Sequence, residues 1–360
     1  LILGRSGSGK TVAVRQELCR LAKEGLASRC ICLVPEQFSF ETERALLREL
    51  GPRDASAVRV YSFSRLAEMV QKELGGCAGR LMDDATRVLL MSEALTQVGD
   101  RLTVYRRRAA GEAQVQSMLR FVQECKQGGI TPAALEAAAG ETEGALQGKL
   151  RDLSLVLGAY EALGAQAYVD PQDALSSLYE RLPESGLVRD TLIFADGFKG
   201  FTAEELRVLG GLMSEARELT VTLCADTLQQ EAGTELFATP MQTAAQLLRL
   251  AQERQVPAAP VRYLTENHRY RTEGLRYLES AVLRGETAPL EAAAPEVTVT
   301  EYSDLYRECV GAAHTLHRLM REGFRCRDMA VVVRSPERYR GMLDMVLEQA
   351  EIPYYRDARE

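Results

Sequence analysis

Residues 4–11, Gly4-Arg5-Ser6-Gly7-Ser8-Gly9-Lys10-Thr11, have the spacing GxxxxGK[ST]. In that pattern glycines let the chain curl until successive N–H groups face phosphate oxygens. A helix starting at the lysine adds partial positive charge. Lys10 would then reach the β- and γ-phosphates of ATP, and Thr11 would hold its Mg²⁺. The plain alternative is a glycine-rich turn without a ligand. A second acidic site is also needed, and Leu192-Ile193-Phe194-Ala195-Asp196 supplies it: an aspartate at the end of an apolar run, suited to Mg²⁺. Asp196 could instead be a helix N-cap. The next residue is Gly197, where many such ATPases carry a glutamate that activates the attacking water. Glu204 and Glu205 follow a turn or more later and are read as solvent-facing. The pattern predicts nucleotide binding with slow or no hydrolysis.

Three other segments carry usable groups. Pro35-Glu36-Gln37-Phe38-Ser39-Phe40 follows the apolar run Cys30–Val34, and Tyr61-Ser62-Phe63-Ser64-Arg65 follows Val58–Tyr61. Gln37 and Ser39 can hydrogen-bond bases or phosphates. Aromatics interleaved with Arg65 suit a single strand, where stacking and backbone charge combine. Phe40 is read as a core anchor, Phe63 as either core or stacking platform. Arg269, after a possible strand at Val261–Leu264, is either an arginine that reaches a γ-phosphate or part of a solvated turn.

Positioning these groups requires a parallel sheet. Strands at Leu1–Leu3, Cys30–Val34 and Val58–Tyr61 alternate with helical patterns, and Thr191–Ala195 and Leu219–Cys224 resume the alternation after a long helical stretch. In that stretch Val88, Met91, Leu95 and Val98 share a face, as do Val115, Met118, Leu119 and Val122, with Asp83 or Asp84 as N-cap. Residues 284–295, rich in Ala, Pro, Gly and Glu, read as a linker. Beyond it, strands are expected at Val297–Tyr302 and Met329–Arg334, with a helix over Asp304–Arg321 between them. That unit looks unfinished, and the chain is expected to be a fragment with a few residues missing upstream.

The 360 residues are 46% apolar and 26% charged with net charge −7, which does not favour nonspecific nucleic-acid binding by overall charge. A local basic channel is compatible with it; Arg106-Arg107-Arg108, the densest basic run, is read as a solvated loop. No run reaches membrane-span length and no secretory signal is evident, so a cytoplasmic protein is expected. The eight cysteines form no CxxC pair and are read as reduced core thiols; Cys77 is one of them, and Cys30 and Cys32 are expected on opposite faces of a buried strand. His314 and His317 lack companion ligands.

Together these segments resemble a known family. The P-loop, then Val34-Pro35-Glu36-Gln37-Phe38-Ser39-Phe40, Tyr61-Ser62-Phe63-Ser64-Arg65-Leu66, Phe194-Ala195-Asp196-Gly197-Phe198 with Phe201-Thr202, and Ile352-Pro353-Tyr354-Tyr355 are similar to the N-terminal part of AddB, the B subunit of bacterial AddAB (RexAB-like) helicase–nucleases. The resemblance covers essentially the whole chain, including Lys149-Leu150-Arg151-Asp152-Leu153. It implies an α/β fold: a P-loop RecA-like parallel sheet of superfamily 1 helicase type. Residues 1–63 and 188–283 would form the first RecA-like domain, 64–187 its helical insertion and 296–360 the start of a second. It also implies an AddA-like partner that drives translocation, while this subunit guides single-stranded DNA, scans it for the Chi signal and meets the duplex. Gln37, Ser39, Phe63, Arg65 and Phe198 would face DNA; Arg269 would sense phosphate. Glu68 stands where family members often carry an aromatic, and a carboxylate there repels phosphate. The family's nuclease and iron–sulfur cysteines are expected outside these residues.

Overall fold

The computed structural model describes residues 1–75, 80–106, 111–165, 168–170, 173–228, 235–284 and 288–356. Cys77, Arg107, Arg108 and part of the expected linker lie outside them. The chain divides into two compact units, Leu1–Thr272 with Leu278–Ala288, and Glu273–Tyr277 with Pro289–Glu360.

The larger unit begins with β1 (Ile2–Gly4), the glycine-rich loop and α1 (Lys10–Lys23). β2 (Cys30–Leu33), α2 (Ser39–Ala57), β3 (Arg59–Tyr61) and α3 (Phe63–Glu73) follow. Next come β4 (Arg80–Leu81), α4 (Asp84–Val98), α5 (Glu112–Gly128), α6 (Pro132–Gly140), α7 (Gly144–Ala165), β5 (Tyr168–Val169) and α8 (Ala174–Arg181). β6 (Leu192–Ala195), α9 (Ala203–Glu215), β7 (Glu218–Leu223), α10 (Ala238–Glu253) and β8 (Arg262–Leu264) complete the sheet.

Six strands pair in the order β3-β2-β6-β7-β1-β8, all parallel. Every residue of β2 (CICL) and β6 (LIFA) is buried, as expected for strands covered on both faces. Residues two apart share a face. Leu3, Ile31, Leu33, Ile193 and Val221 therefore join one core with α3, α8, α9 and α10. Cys30, Cys32, Val60 and Phe194 join the other, against Val14 and Leu18 of α1 and Leu46 of α2. The expectation that the two thiols diverge is corrected by the same periodicity.

The helices α4 to α7 build a core of their own from Met82 to Tyr160, including Met91, Val115, Val122 and Leu157, whereas α3 and α8 pack into the core of the sheet. Asp83 is the N-cap of α4, accepting from Thr86 N–H at 2.8 Å. Buried Asp152 of α7 accepts from the N–H groups of Thr103, Val104 and Tyr105 and from the Thr103 hydroxyl, pinning that loop to the bundle.

α11 (Glu273–Arg284) is followed by α12 (Leu305–Arg321), α13 (Pro336–Tyr339) and α14 (Met342–Gln349). Asp304 caps α12 through Arg307 N–H. Cys309, Ala313, Val346, Leu347 and Ile352 form the core of the smaller unit. Val297–Tyr302 and Met329–Arg334, expected as strands, form no ladder. A strand is a property of a pair, and among the described residues neither segment has a partner; Val299 is 96% exposed and Val332 89%.

Candidate functional site

Because the sheet is parallel, the turns after all six strands open on one edge, where ligands of such sheets bind. The Gly4–Thr11 loop follows β1. Gly7 (φ 84°) and Gly9 (φ 89°) are left-handed, and Gly9 leads directly into α1, whose first N–H groups face the loop's hollow. Lys10 Nζ arches back and donates to the carbonyl oxygens of Gly4 at 2.7 Å and Arg5 at 2.9 Å. Ser8 is buried with its hydroxyl unpartnered. Thr11 is exposed at the mouth, and Arg5 is ion-paired with Glu279 at 3.3 Å.

Asp196 follows β6, two strands from β1, with β7 between them. It is 7% exposed; its N–H donates to Leu33 O at 2.9 Å and its carboxylate accepts from the Thr222 hydroxyl of β7. Asp196, Lys10 and Arg269 line one cleft of about 1360 Å³ with Gly7, Thr11 and Thr222. Burial pulls the Lys10 ammonium below its ordinary value and Arg269 adds to that, while Cys224 and Asp196 oppose it. The charged lining comprises Lys10, Arg15, Arg44, Arg48, Lys199, Arg262 and Arg269 against Glu41 and Asp196. In a chain of net charge −7 that is a focused positive field, and of these cations Lys10 and Arg269 stand at the loop itself, matched to a polyphosphate. Among the described residues no group of three or more His, Cys, Asp or Glu is arranged to hold a metal ion. Thr11 and Asp196 suit a Mg²⁺ whose other ligands come from a nucleotide.

Asn267 carries no motif signal, yet it clasps the loop. Its side chain donates to Ser6 O at 3.1 Å and accepts from the N–H groups of Arg269 at 2.9 Å and Tyr270 at 3.2 Å. His268 N–H donates to Gly7 O at 2.9 Å, and Arg269 Nη1 to the Ser6 hydroxyl at 2.9 Å. Arg269 thus stands beside the loop, as its position after β8 requires. Neither Glu204 nor Glu205 takes the place of the missing glutamate. Glu204, read as solvent-facing, is 4% exposed and engaged with Ser176 and Arg207, and Glu205 completes a capping box with Thr202.

β3, β2 and β6 are neighbours, so their turns form a second, contiguous surface. Ser64 Oγ donates to Glu36 at 3.0 Å, bridging two of them. Gln37 is exposed, Ser39 half-buried at the start of α2, and Arg65 exposed on the first turn of α3, whose N-cap is Ser62. The reading of Phe40 as a core anchor is overturned, and of the two readings of Phe63 the core one holds. Phe63 is 6% exposed, in edge contact with Phe198 at 5.5 Å and Phe201 at 6.1 Å; Phe40 is 72% exposed. Phe198 is half-buried above that cluster, and Phe38, 41% exposed, lies against Gly197. No helix among the described residues is long and apolar enough to cross a membrane.

Comparison with known proteins shows the family of the chain. The model of the family "ADDB, N-terminal" matches residues 1–279. The chain is 32% identical over 372 residues to the B subunit of the ATP-dependent helicase/deoxyribonuclease of Geobacillus thermodenitrificans, covering 100% of the chain and 32% of that relative. It is 32% identical to the protein of the same name from Heliobacterium modesticaldum, covering 99% and 30%, and 26% identical to that from Clostridium novyi, covering 100% and 32%. The chain spans about a third of the length of these relatives. It belongs to the AddB N-terminal family.

Proposed function

From that membership, we propose that the chain is the nucleotide-binding, strand-guiding part of the B subunit of a cytoplasmic ATP-dependent helicase–deoxyribonuclease, acting with an AddA-like subunit in DNA break repair. Residues 1–63 and 188–283 form its first RecA-like domain, 64–187 the insertion and 296–360 the beginning of a second. The observation that carries this reading is the shared edge of the sheet: the Asp196–Phe198 turn borders the P-loop cleft on one side and the Gln37 and Arg65 turns on the other.

At the cleft, Lys10, the loop N–H groups and Arg269 hold the phosphates of ATP, while Thr11 and Asp196 hold Mg²⁺, which neutralises phosphate charge. Gly197 brings no carboxylate to the attacking water, so hydrolysis is slow or absent and translocation is left to the partner. Across the neighbouring turns, Gln37 and Ser39 hydrogen-bond a single strand, Arg65 contacts its backbone and Phe198 stacks on a base, held in place by buried Phe63. Scanning for Chi occurs on this surface; exposed Glu68, one turn along α3 from Arg65, narrows which phosphates approach it. Duplex handling, the nuclease and the iron–sulfur cluster belong to the parent protein and are assigned to no residue here.

The test is Mg·ATP binding and turnover with and without single-stranded DNA, beside Lys10→Ala. Binding lost in the variant with negligible wild-type turnover fits this function. Lys10-dependent turnover stimulated by DNA would make this chain a motor and overturn it.

A further inference from the structure

The cleft is larger than one nucleotide requires. Its volume of about 1360 Å³ exceeds the roughly 300–1,000 Å³ of common small-molecule sites. Its lining runs beyond the loop onto α1 and α2, where Arg15, Gln16, Thr42, Arg44 and Arg48 contribute. Arg48 is nine residues into α2, roughly 14 Å along its axis at the usual helical rise.

The charges there are unbalanced. Arg44 and Arg48 are exposed at i,i+4 spacing, where like charges repel, and neither is ion-paired among the described residues. Arg15 Nη1 pairs with Glu49 at 3.0 Å, but its buried Nε has no acceptor. Glu41 is the one carboxylate lining this end. Three arginines line one groove, one of them with a buried unmet donor, and guanidinium binds phosphate oxygens in bidentate fashion.

We propose that the groove between α1 and α2 is a second phosphate site, distinct from the P-loop, that takes consecutive phosphates of a single-stranded nucleic-acid backbone. Free polyphosphate shares this chemistry. The proposal does not depend on nucleotide binding at the P-loop.

The test uses the intact protein with three probes: a fluorescein-labelled oligo-dT titrated at several salt concentrations, inorganic tripolyphosphate, and Mg·ATP. The variants are Arg44→Ala/Arg48→Ala, Arg44→Lys/Arg48→Lys and Lys10→Ala. The alanine pair is expected to weaken oligo-dT about tenfold and to lower the salt slope by about 1.4, two phosphate contacts at ~0.7 each. Mg·ATP affinity stays within twofold, and the lysine pair keeps the salt slope. If tripolyphosphate bound by the Lys10→Ala protein is lost with the alanine pair while oligo-dT is unaffected, the site exists and its ligand is a free polyanion. Unchanged oligo-dT and tripolyphosphate binding overturns the proposal, as does an equal loss of Mg·ATP, which would place both arginines in the nucleotide site. Failure of the P-loop reading appears separately, as Mg·ATP binding insensitive to Lys10→Ala.

Discussion

Gly7→Ala should cost more stability than Gly9→Ala, although both replace a left-handed glycine of the same loop. A side chain in that conformation costs about 1–2 kcal/mol. At Gly9 (φ 89°) that is the whole effect, because a Cβ there meets nothing nearer than His268 Cδ2 at 3.7 Å. At Gly7 (φ 84°) the Cβ would sit 2.6 Å from Arg269 Cβ and 3.0 Å from Asn267 Oδ1. Arg269 Cβ is fixed to backbone, so the clasp must retreat, loosening His268 N–H to Gly7 O, Asn267 to Ser6 O and Arg269 to Ser6 Oγ. At a net ~0.5–1.5 kcal/mol per hydrogen bond, and less for exposed ones, this adds roughly 1–3 kcal/mol. The total is about 2–5 kcal/mol for Gly7→Ala against about 1–2 for Gly9→Ala. Urea unfolding followed by far-ultraviolet circular dichroism measures both. Asn267→Ala should cost less in the Gly7→Ala background than alone, since the clasp has already gone. Equal destabilisation by the two alanines, or full additivity with Asn267→Ala, would refute a loop held from the β8 side.

Four further outcomes rest on buried groups. Burial depresses the Lys10 pKa, so between that value and the ordinary 10.5 the unfolded chain binds the extra proton and stability rises with pH; Lys10→Met should abolish this rise in alkaline denaturation curves. Phosphate restores the charged form, so Mg·ATP binding in the same window should take up a proton, seen as a binding enthalpy that varies with buffer ionisation; no such variation would count against Lys10 as the phosphate ligand. Asp152→Ala strands three backbone N–H groups and should cost roughly 3 kcal/mol or more, with Asp152→Asn milder, by urea midpoint. Burial raises the thiols of Cys30 to about 11, Cys32 to about 12 and Cys125 to about 11, so at neutral pH all three should resist a thiol reagent until the chain unfolds, as mass spectrometry of labelled peptides would reveal.

What the sequence disclosed follows from how local each feature is. The P-loop was legible because contiguous residues dictate its backbone path. β2 and β6 were legible because a strand buried on both faces reads as an unbroken apolar run. Asn267 was not, since its role is a side-chain contact to a backbone oxygen 261 residues away. Phe40 lies outside the core because a short 3-10 turn at Glu36–Phe38 precedes α2, whereas Ser62 caps α3 directly and turns Phe63 inward. Periodicity gives a helix its faces but not which face meets the sheet. The segments at Val297–Tyr302 and Met329–Arg334 have the composition of strands, and composition does not provide the partner that makes one.

Gly197 tests whether the absent glutamate is a simple deletion of function. Its φ is 83°, and a Cβ there would lie 3.5 Å from Pro35 Cδ and 3.6 Å from the Phe38 ring, in ordinary contact. There is room for a side chain, so sterics do not explain the glycine; the backbone does. The left-handed residue turns the chain between Asp196, whose N–H is bound to Leu33 O, and Phe198, which packs on Phe63 and Phe201. Gly197→Glu should therefore fold with a loss of about 1–2 kcal/mol, bind Mg·ATP as before and gain no turnover, because its carboxylate leaves the backbone toward Pro35 and Phe38. If the substitution instead relaxes to an extended backbone, Phe198 must leave its aromatic partners, and oligonucleotide binding should fall while stability is kept. A variant that hydrolyses ATP with undiminished strand binding would contradict both branches, and with them the idea that this turn trades a catalytic carboxylate for the geometry that links the nucleotide cleft to the strand path.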